Sequence, residues 1–510
     1  MPQRAAAALA AFLDRRRLPV LVLFSVLYLV PIAQRASHKP FWHDEIYTVL
    51  LVRLPSLRAH WGALRDGVDF APPLNGFATR AVRTVAGTGP VAARVPAMIG
   101  FWVMALAVYT TVRRRGNATL ALAAAFVPFF TAAYRYSYEA RPYGLMMALA
   151  ALAWLAWAEA ARGRRRALYL PMLGLTLTAG LWNHYFAALV YAPIAAGELV
   201  RAIRSRRIDM SVWIVVIASL VLATATLYPL LRLSAAQTQH FWVRPSAADV
   251  GDTYQFLFGT LAGSFTWTIL VMAALLVAAW RWPAARDPEL EPIPVHEIAA
   301  ALVAVLLPVL GVVLALFVTG AFVPRYAMPA VAAVAVVLPL TIALLARRAP
   351  LVDVVLLAAL VAAYLGSLPA LSRVVPSDPI ASRPLLVRSL GTPGRTVGSG
   401  QLWFLQLWFY APPALKPRFV YLADPDLALR YTGSDIMDRN YLALARWTPV
   451  PVERFDTFVD HHADFRVYAA GSGWLLDRLR DMHVHMDIAG FEPGGQLYNI
   501  SLRPAPAGIR

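Results

Sequence analysis

The sequence contains no cysteine. Disulfides, thiolate metal ligands and a cysteine nucleophile are therefore excluded, although this leaves the compartment open. Charge is also scarce. Only 15% of the 510 residues are Asp, Glu, Lys or Arg, against about a quarter in a typical soluble domain. Acids are the scarcer sign, 29 against 47 basic residues, which gives a net charge of +18 and a pI near 10.4. A balance this basic can indicate a nucleic-acid binder, but the basic residues, nearly all arginine, sit in short clusters between apolar runs. That placement marks membrane topology and excludes nucleic acid as a partner. No internal repeat is evident, and the apolar runs are almost free of charge, both of which argue against a secondary transporter with mid-membrane ions.

What the chain has in abundance is apolar sequence: 59% of residues are hydrophobic, and mean hydropathy is +0.56. Runs of about 20 apolar residues are long enough to span a bilayer. They fall near 18–33, 92–111, 117–133, 143–161, 167–183, 185–200, 211–231, 262–280, 298–319, 326–346 and 350–369. Arginine clusters follow alternate runs, at Arg113 to Arg115, Arg162 to Arg166, Arg201 to Arg207, and Arg347 with Arg348; Arg281 and Arg286 mark the gap after the eighth. The positive-inside rule then predicts a multi-pass plasma (inner) membrane protein with a cytoplasmic N-terminus. The first apolar run follows Arg15, Arg16 and Arg17, and Arg35 occupies the place where a signal peptidase needs small residues, so it reads as an uncleaved span.

The expected fold is a polytopic α-helical membrane protein of about 11 transmembrane helices, with a small extracytoplasmic α/β domain. Residues 1–369 form the membrane domain, including a long first outer loop at 34–91. Residues 370–510 form the soluble domain on the periplasmic or extracellular side. There, short β-like runs such as "RFVYL", "FRVYAA" and "QLYNISL" alternate with polar helical stretches such as "SGWLLDRLRDM".

Polar groups gather in the outer gaps. The first outer loop carries Asp44 and Glu45 in "KPFWHDEIYTVL". The gap before the fourth run, "YRYSYEARPYGLMM", puts Glu139 and Arg141 at a helix lip, where Pro142 suits the first helical position. Asn183, His184 and Tyr185 join the fifth and sixth runs with almost no loop, and "VPRYAMP" sets Arg325 and Tyr326 at the start of the tenth. A cation at a helix N-terminus is disfavoured by several tenths of a kcal/mol. An anion there removes that objection, because helix N-termini and guanidinium forks both bind phosphate. A lipid phosphate fits this lip. The blander alternatives are solvated acids, arginines snorkelling to the interface, and an ordinary aromatic belt. Convergence of four outer gaps on one membrane depth favours the site.

These motifs resemble those of the GT-C fold membrane glycosyltransferases, in particular the bacterial branch related to protein O-mannosyltransferases and lipid A aminoarabinose transferases. The resemblance is carried by "FWHDEIYT", "APPLNGFATRAVRTVAGTGPVAARVPAMIG", "SYEARPYGL", "NHYFAAL", "FWVRPSAADV" and "VPRYAMPA", in that order over most of 18–345. Ala71 departs from it, standing where these proteins often carry His before the Pro-Pro pair. The resemblance implies an inverting enzyme that moves a hexosyl or pentosyl unit from a polyprenyl-phosphate carrier. The acceptor would be a glycan, lipid or protein of the cell envelope, reached at the outer face of the membrane.

By the same resemblance Asp44 is the general base, with Glu45 beside it at the catalytic position. His43, Glu139, Arg141, Tyr143, His184, Tyr185, Arg325 and Tyr326 bind substrate. Glu45 and Glu139 orient hydroxyls or help hold a divalent cation of unknown identity, and no organic cofactor is implied. The main alternative is an envelope polysaccharide polymerase or ligase. That enzyme uses a lipid-pyrophosphate donor and does not need the acid pair in the first loop.

Overall fold

A computed structural model describes residues 2–237, 240–262, 293–346, 349–372, 378–471 and 473–503. The eighth expected run, together with Arg281 and Arg286, lies outside the described residues apart from its first position, as do Arg347 and Arg348. The chain divides into two compact units. The first comprises 1–37, 71–228 and 243–374; the second comprises 38–70, 229–242 and 375–510.

The first unit is a bundle of apolar helices. Among the described residues six helices are long and apolar enough to cross a membrane: Arg17–His38, Pro90–Arg113, Tyr143–Ala161, Tyr185–Ser205, Met210–Gln237 and Pro350–Pro369. The bent pair Val295–Val305 and Leu307–Thr319 makes a seventh if counted as one span, and Ala118–Phe130 and Pro329–Leu345 are shorter apolar helices. Leu18, Val22, Leu23 and Val30 on the first of these helices, and Ile214, Ile217 and Val221 on the helix Met210–Gln237, are exposed. Such apolar stripes would be unstable in water and belong against lipid.

Without a hydrophobic drive between helices in lipid, small residues set their approach. Gly100 and Gly144 do so for the helices Pro90–Arg113 and Tyr143–Ala161. A Cβ on Gly100 would stand 2.3 Å from the Gly144 carbonyl carbon, and one on Gly144 would stand 2.3 Å from the Ala97 oxygen. The same contact holds Tyr143, the first residue of its helix, in place.

One end of this bundle is knitted by ion pairs. Arg113 pairs with Asp14 at 2.6 Å, Arg115 with Glu297 at 2.6 Å, and Arg114 with Glu159. Arg166 holds Asp209 through two bonds of 2.7 Å, and Arg201 bridges Glu198 and Asp209. The arginine clusters that the sequence offers as topology signals thus also carry partners, most of them buried carboxylates.

The second unit is built on a six-stranded sheet with strands β1 Thr396–Gly398, β2 Phe419–Ala423, β3 Val452–Arg454, β4 Asp464–Ala469, β5 His485–Glu492 and β6 Gly495–Ser501. Their order is β3-β2-β1-β4-β6-β5, with the first four parallel and β6 antiparallel to both neighbours. Helices join the parallel strands, so β2 is buried at every residue, as a strand covered on both faces must be. The β-like runs of the sequence correspond to β2, β4 and β6, and "WLLDRLRD" is the helix Trp474–Asp481. The segment after the first long helix contributes two short helices to this unit, His43–Leu51 and Leu57–Arg65. Ser56 caps the second by accepting from the Ala59 amide at 3.0 Å.

Candidate active site

The structure separates the two acids of the first loop by environment. Glu45 occupies the third position of the helix His43–Leu51 and is fully buried. Its carboxylate accepts from the Trp42 backbone amide at 3.3 Å and pairs with Lys39 at 3.5 Å. An acid in the first turn that reaches back to the N-cap amide satisfies an orphan donor and complements the helix dipole. The Asp44 side chain, by contrast, is 20% exposed, and one of its oxygens lies 3.2 Å from His43 Nδ1. The His43 ring is buried.

In the first unit, the polar residues at the helix lips converge at the end of the bundle opposite the ion pairs. Tyr143 and Glu159 occupy the two ends of one helix, sixteen residues and so about 24 Å apart. Pro142 is the N-cap of this helix, one residue earlier than the sequence suggests. Arg325 sits in the 3-10 turn Pro324–Ala327, just before the helix Pro329–Leu345. Its Nε donates to the Tyr143 hydroxyl at 2.7 Å, and its guanidinium stands 5.9 Å from the Tyr143 ring.

His184 lies at the break between the helix Arg166–Asn183 and the 3-10 turn Tyr185–Val190. Its Nδ1 accepts from the Phe186 amide at 3.2 Å, which assigns the ring proton to Nε2. The ring is 5.6 Å from Tyr143 and 4.9 Å from Tyr326, and the charges of both Arg141 and Arg325 act on it. Asn183 donates to the Pro142 carbonyl at 2.8 Å and so ties the two helix ends together. Glu139 is buried two residues before Arg141, and the Arg141 amide donates to the Glu139 carbonyl at 2.7 Å. Tyr185 opens the 3-10 turn half-buried.

Within their own units, then, His43, Asp44 and Glu45 form one group, and Arg141, Tyr143, His184, Arg325 and Tyr326 form another. Among the described residues no three His, Asp or Glu side chains gather to hold a metal ion. Glu45 is committed to Lys39 and the Trp42 amide. An apolar pocket lies in the bundle, lined by Val108, Ala151, Trp154, Val190, Ala304 and Val337 among others. It contains none of the candidate polar side chains, so it is not where the chemistry resides.

Sequence reasoning passed over two kinds of residue. Arg94, inside one of the quoted motifs, is fully buried and donates to the Ala36 carbonyl at 2.6 Å, tying two helices together. Tyr441 faces His43 at 6.2 Å between ring centroids. No periodicity in either segment announces that contact, because the two residues are 398 positions apart.

Comparison with known proteins bears on the fold. The family model of dolichyl-phosphate-mannose-protein mannosyltransferase matches residues 71–231. The crystal structure of ArnT from Cupriavidus metallidurans in the apo state superposes with a TM-score of 0.59 at 13% identity, covering 94% of this chain and 98% of that one. The same protein bound to undecaprenyl phosphate gives 0.59 at 13% identity, covering 96% and 99%. An oligosaccharyltransferase from Archaeoglobus fulgidus, solved with Zn and sulfate, is more distant, with a TM-score of 0.47 at 13% identity over 88% of this chain and 67% of that one. No curated protein sequence matches. The fold is that of the GT-C membrane glycosyltransferases, as the resemblance of the motifs implies.

Proposed function

We propose that the protein is an inverting glycosyltransferase. It takes a sugar from a polyprenyl-phosphate carrier, undecaprenyl phosphate being the relevant lipid of the ArnT structure, and passes it to a hydroxyl of an envelope glycan, lipid or protein. The observation that carries the reading is the lip of the bundle. Arg141 and Arg325 bring two positive charges to bear on one histidine, with Glu139 the carboxylate nearest them in the sequence. A phosphate is the anion that such a site suits.

The residues divide the work. The acceptor oxygen attacks the anomeric carbon as its proton passes to the Asp44 carboxylate. The bond from the anomeric carbon to the phosphate oxygen breaks, and its electron pair stays with the phosphate. Arg141 and Arg325 neutralise the charge that builds there, while Tyr143 steadies Arg325 through their 2.7 Å bond. The phosphate is a good leaving group, so no general acid is required. Glu45 is withdrawn from chemistry by its cap and ion pair and keeps the helix that presents Asp44. The active side faces away from the arginine clusters, with the N-terminus cytoplasmic.

The test is incubation of purified protein with labelled polyprenyl-phosphate sugars, hexosyl and pentosyl, in parallel with polyprenyl-pyrophosphate sugars. Turnover of a monophosphate donor is expected. Turnover of pyrophosphate donors alone would replace this reading by a polymerase or ligase.

A further inference from the structure

We propose that the α/β part of the second unit is a working part of the catalytic loop: Tyr441 seats the His43 imidazole, and His43 holds the Asp44 carboxylate. The proposal rests on the reading of Asp44 as general base. It makes His43 and Tyr441 positioning residues and gives the C-terminal segment a role in turnover.

The loop is fastened to the α/β layer by bonds of unusual sequence separation. The Phe41 amide donates to the Tyr410 hydroxyl at 2.6 Å, and Gln406 donates to the Phe41 carbonyl at 2.8 Å. Both backbone groups of Phe41 are thus held, two residues before His43. Further along the loop, Trp447 donates to Asp66 at 2.9 Å and covers Gly62, where a Cβ would come within 2.8 Å of the indole. Arg53 stands 5.4 Å from the Phe409 ring.

From this anchorage a line of buried side chains runs to Asp44. Asp438, in the layer's core, accepts from the Tyr421 hydroxyl at 3.2 Å. Tyr421 packs on Tyr441 at 4.3 Å, and Tyr441 donates to the Gln401 carbonyl at 2.7 Å, so its ring has no freedom to turn away. Tyr441 and Tyr47 then face the His43 ring at 6.2 and 5.1 Å. His43 is only 5% exposed, too enclosed to offer a face to an incoming sugar.

One polar contact remains to the ring. An ionised carboxylate carries no hydrogen, so the 3.2 Å approach of Nδ1 to Asp44 requires the tautomer with the proton on Nδ1. Nε2 then has no hydrogen-bond partner among the described residues. A ring placed at that cost is held by its packing and by Asp44, with no substrate needed to explain it. Holding one oxygen of Asp44 fixes the orientation of the carboxylate that takes the acceptor proton.

The test uses full-length protein in detergent. His43→Ala should lower kcat roughly ten- to a hundredfold, the scale of a misplaced catalytic group, with both KM values changed by less than about threefold. His43→Asn, whose amide hydrogen takes the place of Nδ1–H, should restore most of the loss. Tyr441→Ala should reproduce the kcat defect; Tyr441→Leu serves if that variant does not fold. A second arm does not depend on the transferase reading: carbethoxylation of histidines by diethyl pyrocarbonate, read peptide by peptide. His43 should react slowly in the wild type and faster in Tyr441→Ala, with the other histidines unchanged. A raised donor KM at unchanged kcat in His43→Ala would make His43 a substrate contact and overturn the proposal. An unchanged labelling rate in Tyr441→Ala would overturn the seat. If the wild type transfers no sugar, the transferase reading fails, and the labelling arm still decides whether Tyr441 covers His43.

Discussion

Arg325 donates through Nε to the Tyr143 hydroxyl over 2.7 Å, joining a short turn before one helix to the first residue of another. The bond fixes the aim of the guanidinium. Tyr143→Phe removes a charge-assisted bond but acts on the ligand only through Arg325, so it should weaken donor binding by about two- to tenfold, less than the full worth of that bond. Arg325→Lys, which loses the planar fork, should weaken it by roughly ten- to a hundredfold, as expected for one charge-assisted bond. Donor and acceptor are titrated separately against each variant. A defect confined to the acceptor would assign the lip to the other substrate.

The acid pair makes a sharper contrast. Asp44→Asn removes basicity at constant size and should reduce transfer by roughly a hundredfold or more, with expression unchanged. Glu45→Gln keeps the cap geometry but weakens the pair with Lys39. It should lower thermal stability while retaining a substantial share of the turnover. Abolished turnover in a stably folded Glu45→Gln, with Asp44→Asn active, would exchange the two roles.

How much of this was legible beforehand differs by scale. The apolar runs marked helices among the described residues, because bilayer thickness imposes a length that sequence displays, although only six, or seven with the bent pair, are long and apolar enough to cross a membrane, against the eleven expected. The strands β2, β4 and β6 were legible because their β-branched and aromatic residues lie between turn signals. Arg141, His184 and Arg325 stood out as polar residues at the ends of apolar runs, and the structure gathers them. The different environments of Asp44 and Glu45 were not visible, since adjacent acids look alike until a helix start commits one of them to its own backbone. The Tyr441–His43 contact was equally hidden. Packing between segments hundreds of residues apart leaves no periodic trace in a single sequence. The arginine clusters were understood only in part, because their carboxylate partners Glu159, Glu198 and Glu297 are scattered singly among apolar residues.

Asp438 supplies a pH-dependent prediction. It is buried against Tyr421 and the Trp474 indole, and it also accepts from Gln401 and the Asp424 amide. Those donors favour the ionised form, but burial outweighs them and pushes the carboxyl up to about 7. An acid whose folded value is raised binds a proton more tightly when folded. Its contribution is complete below the unfolded value near 4 and is lost as pH rises through about 7. The loss is on the order of 4 kcal/mol across that window. The second unit should therefore become less stable from pH 4 to 7 by this term, and Asp438→Asn should remove it. Thermal unfolding of wild type and variant across this range checks the difference; parallel curves would place the titration elsewhere.

Orientation follows from which arginines remain uncompensated. Arg113, Arg115 and Arg166 are neutralised by Asp14, Glu297 and Asp209. Arg165, Arg204, Arg206 and Arg207, at the same end of the bundle, are exposed. Positive charge that stays in water beside a span is what retains a loop in the cytoplasm. This end should thus face inward, which sends the lip of Arg141 and Arg325 outward to meet a lipid-borne donor and an envelope acceptor. The same alternation of clusters predicts a C-terminus on the outside, so a reporter that works only in the cytoplasm, fused after residue 510, should be silent. One that works only outside should be active. Replacing the four exposed arginines with Gln should give a mixed population read by both reporters, while Arg115→Gln should cost stability and leave orientation intact. An active cytoplasmic reporter on the native sequence would invert the protein, turn the lip inward, and remove the outer-face acceptor from consideration.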